Sequence, residues 1–111
     1  MILHTRLLWF VSGLTVSQRL IVIHPKYRDD KPLLAHESTH QAQMARVGTL
    51  TFWWRYLTSK AFRQASEVEA YKVQIAHGAK RHACARYLTE NYRLGIDYAT
   101  AYALLKDYNG N

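Results

Sequence analysis

The chain has one cysteine, Cys84, in 111 residues. That excludes an intrachain disulfide and a CxxC-type zinc site, so any metal must be held by histidines and carboxylates. Acid is scarce as well: eight Asp and Glu stand against fifteen Lys and Arg, for a net charge of +7. No low-complexity tract or internal repeat is present, and no apolar run is long enough to span a bilayer. The stretch 7–16 imitates the core of an export signal but is broken by Ser12 and Gly13, so a strand is expected there and secretion is disfavoured. The expected setting is the cytoplasm or a virion. What is present is a globular composition, 49% hydrophobic and 21% charged, in a length suited to one domain with a modest core.

Residues 5–11 and 18–24 are rich in aromatic and β-branched side chains and read as the strands of a hairpin, with Ser12-Gly13 and the residues up to 17 as its connection. Pro25 stops the second strand, and 26–31 is a charged loop. Asp29, Asp30 and Pro32 form a helix start, and Gly48 a helix stop, which predicts a helix from about 32 to about 46. Beyond it the pattern predicts helices near 51–60, 64–79 and 82–92, and a last one capped by Asp97 and ending near Asp107. The expected fold is α+β and mostly helical: an N-terminal β-hairpin or small antiparallel sheet packed on a pair of helices, with further C-terminal helices, all in one domain spanning 1–111.

Within the first long helix lies His36-Glu37-Ser38-Thr39-His40. Residues four apart on a helix lie about 40° apart around the axis and about 6 Å along it, so two imidazoles can converge on one tetrahedral Zn²⁺. Glu37, one step round, can reach a water on such an ion and act as general base. A catalytic zinc takes a third protein ligand, and the carboxylates outside the start of the motif helix are few: Glu67, Glu69, Glu90, Asp97 and Asp107. Glu67 and Glu69 fall on one expected helix, and two residues of helix turn them about 200° apart, so only one can face the metal. The other should face solvent or an arginine.

The motif followed by Glu67-x-Glu69-Ala70-Tyr71 resembles the zincin metallopeptidases, and within them the Glu-zincin branch with its minigluzincin-type members, small bacterial and phage proteins among them. The resemblance covers roughly 18–78. It implies one Zn²⁺ held by His36, His40 and a glutamate of the later helix. The minigluzincin pattern makes that ligand Glu67, with Tyr71 in the place of an aspartate that supports a histidine; other members of the branch choose the Glu directly before Ala, which is Glu69. It also implies an edge strand, here 18–24, along which an extended peptide or protein substrate pairs.

Tyr56, Tyr71, His77 and His82 are the candidates for a further donor to an oxyanion. Basic residues crowd the chain after position 54, which suits solvated helix faces or an anionic partner, a nucleic acid or an envelope surface. The aromatic run Phe52-Trp53-Trp54-Arg55-Tyr56 suits helix packing, and the tyrosines at 87, 92, 98, 102 and 108 suit a helix pair or an interface between copies. The leading expectation is a zinc metallopeptidase. The alternatives are a non-catalytic assembly or scaffold protein that keeps the metal for stability, and a basic nucleic-acid-binding module.

Overall fold

The computed structural model describes residues 2–4 and 13–106. The expected strand at 5–11, the helix end near Asp107 and Tyr108 lie outside the described residues. Strands β1 (Ile2–His4), β2 (Gly13–Ser17) and β3 (Leu20–Ile23) form one sheet in the order β1-β3-β2. β2 and β3 are an antiparallel hairpin turning at Gln18 and Arg19, while β1 joins β3 in parallel, with Leu3 opposite Val22.

Two expectations change here. Residues 13–17, expected as connection, are themselves a strand: Gly13 opens it, and Thr15 and Val16 supply the β-branched content. And β3, inside the segment expected as an edge, is the middle strand, with both its sides taken up by β1 and β2. A peptide cannot add to it. Among the described residues β2 is paired on one side only. The register slips between Thr15 and Ser17, and the carbonyl of the extra residue, Val16, accepts a hydrogen bond from Trp53 Nε1 at 2.9 Å.

After a short 3₁₀ turn (Pro25–Tyr27) come α1 (Lys31–Val47), α2 (Thr49–Thr58), α3 (Lys60–Ala76), α4 (Arg81–Asn91) and α5 (Tyr98–Leu104). The fold is α+β and mostly helical. Each start has a local cause. Asp30 Oδ1 accepts from Leu33 N at 2.9 Å and Pro32 sits in the first turn, so α1 begins where the acid–proline signal lies. Ser59 Oγ accepts from Phe62 N at 3.1 Å, which starts α3 four residues before the expected boundary. Asp97 Oδ1 accepts from Thr100 N at 2.8 Å and opens α5.

The most extensive packing is of α1 on α3, with α2 against both and the hairpin against α1. Ile21, Ile23 and Leu33 join sheet to helix, and a second cluster of Tyr71, Cys84, Ala85, Leu88, Leu94, Ala101 and Leu105 joins α3 to the C-terminal helices. Burial pushes the Cys84 thiol up to about 11, which keeps it protonated and inert at neutral pH.

Gly48 joins α1 to α2 with φ +89° and ψ 143°, a conformation that a Cβ disfavours. Its N–H donates to Met44 O at 2.7 Å, closing α1, and its carbonyl accepts from Phe52 N at 2.9 Å, opening α2. Gly48→Ala is expected to cost about 1–3 kcal/mol of stability, read as a lower urea midpoint with unchanged slope.

Candidate metal centre

The buried stripe of α1 is Leu33, His36, Glu37, His40, Gln43 and Met44, spaced as an apolar core stripe would be. Four of these six are polar. The facing stripe of α3 is Ser66, Glu67, Ala70 and Tyr71. The two helices therefore meet across a polar seam, and His36, Glu37, His40 and Glu67 are each between 3% and 6% exposed.

Three donor atoms converge at its centre. His36 Nε2 and His40 Nε2 are 3.2 Å apart, and Glu67 Oε1 lies 3.2 Å from the first and 3.1 Å from the second. This nearly equilateral triangle is close to the edge of about 3.3 Å that a tetrahedral ion with bonds of about 2.0 Å would need. Two imidazole nitrogens and a carboxylate oxygen are a donor set that suits Zn²⁺, and these three buried residues could hold one ion. Glu37, beside them on α1, is not part of the triangle. Thr15 Oγ1, from β2, lies 2.7 Å from both Glu37 Oε2 and Glu37 O and can donate its proton to either.

A hydrogen-bond shell fixes the triangle. His40 Nδ1 is 2.9 Å from Gln43 Oε1 and 3.2 Å from Ser66 Oγ, so Nδ1 carries a proton and Nε2 is the atom turned to the centre. Ser66 Oγ donates to Gln43 Oε1 at 2.6 Å, and Gln43 Nε2 donates to Ser66 O and Glu69 Oε1, each at 3.0 Å. Tyr56 OH donates to Glu67 Oε2 at 2.5 Å, which leaves Oε1 for the centre. Phe52 backs His40 with ring centroids 6.1 Å apart and stacks on Tyr56 at 5.6 Å.

Electrostatics follow from this closeness. Burial disfavours a charged His40, but the Glu67 carboxylate outweighs it through charge and hydrogen bond, with Glu37 and Gln43 adding to it, and the pKa rises to about 9. Burial pushes Glu67 up, yet His40 and His36 together hold its carboxyl far below the usual range. In the metal-free protein His40 and Glu67 are thus an ion pair, and a bound cation takes the place of the proton between them. Burial, and then the Glu67 carboxylate, push the Tyr56 phenol well above its ordinary value, so it remains a donor.

The expected residues separate cleanly. His36, His40 and Glu67 come together with Glu37 beside them, and Tyr56 is in contact with Glu67. Glu69 points away from the centre: Arg46 Nη2 donates to its Oε1 at 2.7 Å and Gln43 Nε2 at 3.0 Å, and its side chain is 46% exposed. Tyr71 lies under His36, ring centroids 4.4 Å apart, but its hydroxyl meets Tyr92 OH at 2.6 Å. It does not replace an aspartate, and His36 Nδ1 has no hydrogen-bond partner. His77 is not at the site. It ends α3, ten residues and about 15 Å of helix beyond Glu67, exposed and bonded to Val73 O at 2.9 Å. His82 is exposed on α4. Thr15, Gln43 and Ser66 are the residues the sequence reading missed; Gln43, three residues after His40 on the same helix face, carried the only legible signal.

Comparison with family models, with curated proteins and with solved structures returns no match. The chemistry of this centre therefore rests on its own geometry.

Zn²⁺ titrated into the purified protein, followed by calorimetry and elemental analysis, should bind one ion per chain. His40→Ala and Glu67→Ala should lose it and Glu69→Ala should keep it. Gln43→Ala should weaken binding by about 10–100-fold.

Proposed function

We propose that the chain is a zinc-dependent peptide hydrolase of the zincin type. The observation that carries this reading is the combination of a His-His-Glu donor triangle with a second buried carboxylate, Glu37, which follows His36 in the chain and acts on the charge of His40 without joining the triangle. A purely structural metal site has no need of that fourth group. A zinc ion in the triangle would supply a water of lowered pKa and polarise a scissile carbonyl. Glu37 would accept the proton of the attacking water and pass it to the leaving amine. Thr15 holds one oxygen of that carboxylate, Gln43 and Ser66 hold the tautomer of His40, and Tyr56 holds the outer oxygen of Glu67. The backbone of a peptide substrate would pair with β2, the strand that brings Thr15 to Glu37 and, among the described residues, is paired on one side only.

Glu37→Gln should bind zinc like the wild type and lose about 10²–10⁴-fold in kcat on casein or a quenched-fluorescent peptide library. Full activity in that variant would refute the assignment of the base.

A second reading has one observation in its favour: the four groups are nearly closed to solvent. A non-catalytic scaffold that uses the ion to neutralise a buried polar seam would be stabilised by zinc without turning over any peptide. For that protein a chelator should lower Tm by several degrees, zinc should restore it, and the peptide library should remain intact.

A further inference from the structure

Among the described residues one helix face is left without a partner. Leu50 is 86% exposed, and Trp54 and Leu57 are 72% exposed each. They stand at i, i+4 and i+7 of α2, within about 60° of one another around its axis. Phe52 and Tyr56, two residues to either side of Trp54, point about 160° away from it and pack towards His40 and Glu67. The helix thus has two apolar faces: one completes the core and the other meets solvent.

The charge around this stripe has one sign. No Asp or Glu occurs between Glu37 and Glu67, while Arg46, Arg55, Lys60 and Arg63 all fall in that interval. Arg46 pairs with Glu69, and Arg63 donates to the carbonyls of Tyr92 and Tyr56. Arg55 and Lys60 are exposed, on the last turn of α2 and the first of α3. Exposed Leu and Trp on one helix face, with Arg55 about 100° round from Trp54 and only cations nearby in sequence, is the composition of a helix that lies in a membrane interface. No helix among the described residues is long and apolar enough to cross one. A second copy is disfavoured, because each carries +7 and the same cations would face each other, whereas an anionic bilayer turns that repulsion into attraction.

We propose that α2 docks the protein on an anionic lipid surface, with Leu50, Trp54 and Leu57 inserted at headgroup level and Arg55 and Lys60 against the lipid phosphates. The proposal is independent of what the metal centre does. Its face of the helix is opposite the one that supports the site, so its test needs neither metal nor substrate.

The test is co-sedimentation of the full chain with vesicles of equal parts phosphatidylcholine and phosphatidylglycerol, and with vesicles of phosphatidylcholine alone. Binding is expected to the first, about tenfold or more weaker to the second, and reduced by added salt. Leu50→Ser with Trp54→Ser and Leu57→Ser should lower vesicle affinity by more than about tenfold. Circular dichroism should stay unchanged, since all three side chains are exposed; Trp54→Ser alone serves as the milder variant and should show part of the loss. Arg55→Gln should lower affinity for the anionic vesicles only. Retention of full binding by the triple variant overturns the proposal. So does equal binding to neutral vesicles, or a stripe-dependent dimer in the absence of lipid. Binding to duplex DNA at least as tight as to anionic vesicles, and unchanged in the triple variant, would assign the basic surface to nucleic acid and overturn it as well.

Discussion

The contact between His40 and Glu67 is the constraint on which the rest of the structure depends. It joins the two longest helices, α1 and α3, at a point where a soluble domain of this size would ordinarily place leucine or valine. Removing either partner and leaving the other charge buried would cost about 3–5 kcal/mol, a large share of the stability of a small domain. The helices can pack there because nearly every buried polar group of the seam finds another, His36 Nδ1 being the exception, so the register of α1 against α3 is set by hydrogen-bond geometry as well as by shape. Gln43 shows how tight the accounting is. Its carbonyl oxygen receives Ser66 Oγ and faces His40 Nδ1, and its amide reaches Ser66 O and Glu69 Oε1, so one side chain serves the ligand, the backbone of α3 and the surface pair with Arg46.

The same seam explains which parts of the fold could be read from the chain. Capping chemistry is local, so Asp30, Pro32, Gly48 and Asp97 marked the ends of α1 and the start of α5 without any knowledge of tertiary contacts. The choice between Glu67 and Glu69 was legible as a dilemma, since 200° of helix forbids both from facing one centre, and Arg46 takes the one turned outward. Other features were invisible for a physical reason. Whether a strand is central or at an edge depends on a partner far along the chain, here β1 beside β3, and nothing in 18–24 announces it. Thr15 reads as one β-branched residue among several, and its role comes only from the packing of β2 across the first turns of α1. Ser59 is a modest cap signal inside an aromatic stretch, so α3 was expected to start late.

Tyr71 is the position where a resemblance by motif and the physics of this chain part company. An aspartate there could accept from His36 Nδ1. A tyrosine, four residues on from Glu67, is too long, and its hydroxyl passes the ring to meet Tyr92, while burial, partly offset by that bond, raises the phenol well above its usual pKa. The support that one histidine loses, the other has in excess: His40 is held by Gln43 and Ser66 together, whereas His36 makes a T-shaped ring contact with Tyr71 and, among the described residues, no hydrogen bond at Nδ1. The two histidines of the motif would therefore be unequal ligands of a cation. His40 is oriented before any cation arrives, since Gln43 and Ser66 already engage its Nδ1 and its Nε2 faces the centre. His36 lacks such a partner at Nδ1, and it is held by the Glu67 carboxylate, 3.2 Å from its Nε2, and by the Tyr71 ring. An asymmetry of this kind places the cost of ordering the site on one residue of α1. It also makes the ring of Tyr71, itself held by Tyr92, rather than a carboxylate, the neighbour that limits where that imidazole can swing.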